Sequence, residues 1–297
     1  MRNSLKVVLA LSASVAAGAA WAQTAPAPAS APKAVQPACA NPNAIGVART
    51  VEIDTAGAPG FGFEHFKAYD FLRDHEVVLT FDDGPWPNNT PLVLKALADH
   101  CTKALFFTIG KHAGWHPELL KQVAAAGHTI GTHTWSHVDL SNKKPEEAKA
   151  EIEKGIAAVS IALGNKPVQP FFRFPALRHP PEMMKYLGER NVGVFSTDMD
   201  SFDFKIRKGD QLVASLMKKL EKRGKGIVLM HDFQSHTAHA VADLLAQLKA
   251  GGYKIVHVTG KTPIEPIAEY KDAVLKEMGG GLETARPMSS VIRDISN

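Results

Sequence analysis

The stretch Glu76-Val77-Val78-Leu79-Thr80-Phe81-Asp82-Asp83-Gly84-Pro85 (residues 76–85) decides the fold. Val77 to Phe81 is an apolar, β-branched and aromatic run, too short for a helix, and Gly84-Pro85 closes it with turn chemistry. The run reads as a buried strand. Two carboxylates stand where it ends, which is costly unless they bind a cation or share a proton. Asp-Asp-Gly-Pro is also ordinary solvated-turn chemistry, so the stretch alone leaves both readings open.

Working outward, similar strand-like runs recur at 104–109, 128–131, 171–174, 193–197, 227–230 and 254–258. Helical periodicity fills the gaps at 91–100, 117–126, 145–163, 181–190, 210–223 and 237–250. Pro91, Pro117, Pro145 and Pro181 fall where a first helical turn accepts proline. Gly127, Gly164, Gly188, Gly224 and Gly251 fall near helix ends, where a left-handed cap is expected. Repeated strand–helix alternation implies parallel strands. The fold class expected is α/β: a distorted (β/α) barrel of about seven parallel strands forming one catalytic domain over 76–258. A doubly wound open sheet is the competing architecture.

The flanks are of different character. Arg2 and Lys6 precede an apolar run, 7–20, and Ala20-Trp21-Ala22 fits a small-x-small cleavage site, so 1–22 reads as a signal peptide. The run is short for a bilayer span of ~20 residues, which argues for cleavage and against a membrane anchor in the mature chain. Residues 23–45 form an Ala/Pro-rich linker, 46–75 an irregular lead-in, and 259–297 a C-terminal tail with one short helix near 267–278. Cys39 and Cys101 are the only cysteines; export permits a bridge between them without requiring one. The formal charge of +4 is too small and too scattered to argue for a nucleic-acid partner, and none is expected. The cluster Lys218, Lys219, Lys222, Arg223 and Lys225 ends a helix, where cations complement the dipole.

Polar residues collect after the strands, where barrel active sites form. Beyond Asp82-Asp83, the third strand ends in His133-Thr134-Trp135-Ser136-His137, whose imidazoles could share a metal if the segment were helical. A carboxylate with two histidines and open positions suits Zn2+ or a neighbouring divalent ion. Arg173-Phe174-Pro175-Ala176-Leu177 follows the fourth strand, and an arginine in an acidic pocket would orient a carboxylate. Asp198-Met199-Asp200-Ser201-Phe202-Asp203-Phe204 follows the fifth. Ile227-Val228-Leu229-Met230-His231-Asp232 delivers a histidine to the rim, where a carboxylate partner would let it serve as general acid.

In order and wording, Thr80–Gly84, His133–His137, Arg173–Pro175, Asp200–Phe204 and Ile227–Asp232 resemble the five motifs of the polysaccharide deacetylases, the NodB-homology domain of carbohydrate esterase family 4. The resemblance spans roughly residues 76–258 and implies a distorted barrel. It implies Asp82 as general base, Asp83 with His133 and His137 as ligands of one divalent metal, most naturally Zn2+ with Co2+ or Ni2+ as substitutes. Arg173 would hold Asp82, Asp203 would tune His231, and His231 would protonate the leaving amine. Pro175, Ala176, Leu177 and Phe204 would face substrate, a backbone N–H near Ala176 helping to bind the oxyanion.

Three positions, in two of the motifs, depart from the family pattern. Ala176 and Leu177 replace an aromatic residue and glycine, and Phe204 replaces tryptophan. Substrate preference is what they put in question, because every charged position is filled. The expected activity is metal-dependent removal of N-acetyl groups from an N-acetylglucosamine-containing glycan: chitin-like, peptidoglycan or exopolysaccharide. The rivals are an O-acetyl (xylan) esterase, amide hydrolysis on small molecules, and a metal-dependent carbohydrate-binding protein without catalysis. The expected location is periplasmic or secreted, and the expected partner is the acetylated glycan.

Overall fold

The computed structural model describes residues 39–282, so the signal peptide reading, most of the linker and the last part of the tail lie outside the described residues. The elements run in the order β1 (Arg49–Ile53), β2 (Gly60–Phe61), β3 (Glu76–Asp82), α1 (Thr90–Asp99), β4 (Leu105–Thr108), α2 (Gly110–Trp115), α3 (Pro117–Ala125), β5 (Thr129–Thr132) and α4 (Pro145–Ala162). Then follow β6 (Phe171–Phe172), α5 (Pro181–Glu189), β7 (Gly193–Phe195), β8 (Met199–Asp200), α6 (Gly209–Arg223), β9 (Gly226–His231), α7 (Ser235–Ala250), β10 (Lys254–Gly260) and α8 (Ala268–Leu282). No helix among the described residues is long and apolar enough to cross a membrane.

Every ladder between named strands is parallel. A continuous path runs β8-β9-β3-β4-β5-β6-β7-β2, with β10 joining the start of β3 and carrying β1 on its far side. All seven strands expected from sequence are present. Among the described pairings, none links β8 to β7 or β2, so no strand ladder closes the barrel at that seam. Phe63 N–H donates to the Asp198 carboxylate across it at 2.7 Å.

The alternation of β3 builds two cores at once. Val77, Leu79 and Phe81 pack outward into the helix layer, while Val78 joins Leu105, Phe107, Phe171, Phe195 and Ile227 inside the barrel. Each such side chain, removed from water, stabilises the fold by roughly 1.5–3 kcal/mol. The interior is therefore filled beneath the C-terminal ends of the strands, and the polar residues at those ends stand on a packed floor.

Two features correct the sequence reading and one answers a question it left open. The lead-in 46–75 is not wholly irregular, since it supplies β1 and β2. In the linker, Cys39 is bonded to Cys101 just past α1. Gly188 lies inside α5, where the left-handed position after the helix is taken by Asn191 (φ 55°), and Gly251 has an ordinary φ of −79°.

Candidate active site

Asp82 is the last residue of β3 and the register partner of His231, the last of β9. Arg173 comes from just beyond β6 and is fully buried. Its Nη1 donates to Asp82 Oδ1 at 2.6 Å and to Thr80 Oγ1 at 2.7 Å, and Nη2 donates to Ser196 O at 2.8 Å. The guanidinium lies 4.3 Å from the centroid of the Phe107 ring. Burial works against its charge and the Asp82 carboxylate answers it. Such a pair fixes geometry more than it adds stability.

Asp83, His133 and His137 present ligand atoms that all lie within 4.8 Å of one another. Asp83 Oδ1 is 3.5 Å from His133 Nε2 and 3.3 Å from His137 Nε2. The second ring nitrogen of His133 lies 2.7 Å from the Arg173 carbonyl, which it serves as donor, leaving Nε2 unprotonated toward Asp83. Burial is the main cause that lowers the His133 pKa, and neutral imidazole is the form that binds a cation. Buried Asp83 Oδ1 has no hydrogen-bond partner. That orphaned oxygen facing two imidazole nitrogens is the donor set a divalent cation fits.

The His133–His137 segment is not helical. Thr134 (φ 64°) and His137 (φ 58°) adopt left-handed backbone, and Thr134 Oγ1 accepts the His137 N–H at 3.0 Å. The Glu151 carboxylate accepts the Ser136 N–H at 2.9 Å. A loop held from α4 thus turns both rings to one side, doing what a helical spacing would have done.

On the opposite side, His231 Nδ1 lies 2.6 Å from Asp203 Oδ1, and the other Asp203 oxygen accepts the His231 N–H and the Thr237 hydroxyl, each at 2.8 Å. Burial alone would lower the His231 pKa; the bond and charge of Asp203, with Asp82 and Asp83 behind them, raise it to about 9. Asp203, although buried, is held below the ordinary carboxylate range by those same donors. His231 Nε2 points back toward the centre, 3.9 Å from Asp83 Oδ2.

These groups surround a cavity of about 470 Å³ lined by Asp82, Asp83, His133, His137 and His231, with walls of Phe174, Ala176, Leu177, Leu229, Phe204 and Phe233. Ala176 (φ 51°) and Leu177 (φ 58°) turn into it through two left-handed residues in succession. Arg173 and Asp203 stand behind the wall as buried supports. Pro175, read from sequence as substrate-facing, is buried beneath the turn and is not among the lining residues.

Sequence reasoning assigned no role to His112, Gln234 or Asp232. His112, on α2, has Nδ1 2.6 Å from the Asp83 carbonyl, which fixes the backbone of that residue. Asp232 is buried, accepts the Thr90 hydroxyl at 2.5 Å, and burial is the main cause raising its pKa to about 7. A side chain at position 84 would collide with Asp232, so the close packing of these two loops accounts for Gly84. The Asp232 signal was present in the sequence as a second carboxylate beside His231.

Residues 72–193 match the family model described as polysaccharide deacetylase. The chain is 33% identical over 195 residues to a peptidoglycan-N-acetylglucosamine deacetylase of Bacillus cereus, a match covering 62% of this chain and 86% of that protein. The chain belongs to the polysaccharide deacetylase family. A peptidoglycan-N-acetylglucosamine deacetylase of Listeria monocytogenes is 32% identical over 188 residues, covering 61% of this chain but only 38% of that longer protein. Among solved structures, a Bdellovibrio bacteriovorus peptidoglycan deacetylase superposes with a TM-score of 0.66 at 34% identity, over 72% of this chain and 59% of that one. As a polysaccharide deacetylase domain the chain keeps the family barrel and carries a candidate Asp–His–His metal site.

Proposed function

We propose that this chain is an exported, metal-dependent hydrolase that removes N-acetyl groups from N-acetylglucosamine residues of a glycan. Peptidoglycan is the first polymer to test, followed by chitin-like oligosaccharides and exopolysaccharide. One observation carries the reading: the orphaned Asp83 oxygen faces two imidazole nitrogens on one wall, and an Asp203-held imidazole faces them from the other. The similarity to peptidoglycan deacetylases supports the choice of glycan. The leader at 1–22 supports export to the periplasm or beyond.

Asp83, His133 and His137 would hold one divalent ion, Zn2+ first and Co2+ or Ni2+ as alternatives. Such an ion, when bound, polarises an acetyl carbonyl and lowers the pKa of a water. Hydrolysis adds water across the C–N bond, releasing acetate and a free amine. Asp82, fixed by Arg173, takes the proton of the attacking water. The Ala176 N–H, at the cavity wall, serves as oxyanion donor. An amide nitrogen leaves poorly unless protonated, and His231 gives it a proton from Nε2 while Asp203 keeps the ring charged and oriented.

The test is acetate release by the full-length chain from N-acetylglucosamine oligomers and peptidoglycan, beside acetylated xylan, with and without a chelator. Release from the N-acetyl substrates that stops on chelation supports the proposal. Release from xylan alone moves the assignment to an O-acetyl esterase, and release insensitive to chelation contradicts the metal-dependent reading.

A further inference from the structure

The exposed aromatic side chains are unevenly distributed. Among the described residues, the large apolar side chains left in solvent are Tyr69, Trp86, Trp115, Phe202, Phe204 and Leu275. Four of these follow the C-terminal ends of β3, β4 and β8, the end of the barrel that carries the cavity. Phe202 and Phe204 flank Asp203, the partner of His231; Lys205 and Lys219 stand over the Phe202 ring, and Phe204 carries Lys205 and already walls the cavity. Trp86 and Trp115 lie on the other flank. No cation–aromatic pair among the described residues involves either indole.

His112 links these two indoles to the site. Its ring centroid is 5.2 Å from that of Trp86 and 5.2 Å from that of Trp115, while its Nδ1 lies 2.6 Å from the Asp83 carbonyl. His116 stands edge-on to Trp86 at 6.0 Å. The backbone N–H of Trp86 donates to Thr90 Oγ1 at 2.7 Å, and that hydroxyl donates to buried Asp232, so the backbone of the ledge is anchored to the floor of the site. Trp115 is 60% exposed, an unusual cost for a tryptophan, and among the described residues its aromatic neighbour is His112.

We propose that Trp86, His112 and Trp115 form a sugar-binding ledge that takes pyranose rings beyond the one being deacetylated. The proposal rests on the glycan deacetylase reading and extends it from a single acetamido group to an oligomer several sugars long. An equatorially substituted pyranose has flat C–H faces and a polar rim. Indole faces cover the former, and imidazole and indole N–H groups reach the latter. Continuity with the Asp83 backbone selects the occupant: a chain seated with its acetamido group in the cavity passes over the strand ends next to it.

The experiment measures KM for acetate release from N-acetylglucosamine oligomers, dimer to hexamer, for the wild-type chain, Trp86→Ala, Trp115→Ala, Trp115→Phe and the double alanine variant. Tyr69→Ala, an exposed aromatic not assigned to the site, is the control. In parallel, hexamer binding is followed by tryptophan fluorescence. The wild-type KM falls with oligomer length, the double alanine variant loses that fall with its hexamer KM rising about tenfold, and Trp115→Phe restores part of it. A hexamer KM unchanged in the double variant overturns the ledge while leaving the deacetylase reading intact. If no oligomer is hydrolysed yet the hexamer shifts the wild-type fluorescence, and calorimetric titration shows that the double variant, which lacks the two reporter indoles, no longer binds it, the ledge stands and the catalytic reading fails. Absence of both hydrolysis and a fluorescence shift overturns the two together.

Discussion

Asp82 and His231 are register partners at the C-terminal ends of the adjacent parallel strands β3 and β9. The proposed base and acid therefore stand on one rigid ladder, at a spacing set by backbone hydrogen bonds and not by a loop. Loop residues are needed only to complete the site around them, and they are fastened: Asp83 by His112 and His133 by Arg173, while Asp203 orients the His231 ring.

Arg173 gives the first prediction. Its guanidinium serves Asp82, Thr80 and Ser196 together, and among the described residues no other cationic group approaches the buried Asp82 carboxylate as closely. Arg173→Met is expected to lower unfolding stability by about 3–5 kcal/mol, since an unpaired buried carboxylate remains. Arg173→Lys keeps a charge but not the fork, and it too loses acetate release. Denaturant unfolding and turnover check this, and a fully active lysine variant contradicts it.

The two histidines differ in burial, which separates metal binding from folding. His133 is 2% exposed, whereas the His137 side chain is 41% exposed. His137→Ala is expected to weaken binding of one divalent ion per chain while melting near the wild-type temperature. His133→Ala is expected to weaken binding and lower the melting temperature as well. Calorimetric titration with Zn2+ and thermal melts provide the readout.

The pH dependence follows from His231, whose pKa is raised from 6.5 to about 9. A histidine raised on folding adds stability that is complete below 6.5 and is lost as pH rises through about 9. The metal-free chain is thus expected to lose thermal stability across that interval. A cation beside Asp83 opposes part of the rise, so the basic limb of turnover in the loaded chain lies at or below the metal-free value. Asp203→Asn removes the bond and charge that raise the ring, so its basic limb moves to lower pH. A limb unmoved in that variant would show that His231 is not the titrating acid.

The bond between Cys39 and Cys101 closes a separation of 62 residues. Removing it by a double serine substitution is expected to cost about 4 kcal/mol by the loop-entropy relation. Both cysteines stand away from the cavity lining, so turnover at low temperature should persist while the melting temperature falls. Equal melting temperatures with and without reductant would contradict the structural role.

The sequence revealed what local pattern creates. Val77 to Phe81 and the runs at 104–109, 171–174, 193–197 and 227–230 announced themselves as strands because each is short, largely apolar and buried on both faces, whereas β5 has Ile130 as its one large apolar residue and β10 leaves Lys254 exposed. Each chemical cluster followed one of those runs, so the site could be placed before its geometry was known. β2 and β8, two residues each, have no pattern of their own and exist through pairing with β7 and β9. β1 alternates Arg, Val and Glu at an edge and carries no apolar run. α2 is six residues with two glycines, below what periodicity can register, and so His112 and Trp115 went unremarked. The contact between His112 and the Asp83 carbonyl spans 29 positions and is a product of the fold.

The central claim is that Asp82 acts as base beside a metal-binding triad, and Asp82→Asn tests it most directly. Acetate release from N-acetylglucosamine oligomers should fall by about 10²–10⁴-fold, with one divalent ion still bound and substrate affinity kept. Turnover near the wild-type rate in that variant, with the same metal content, would contradict the account.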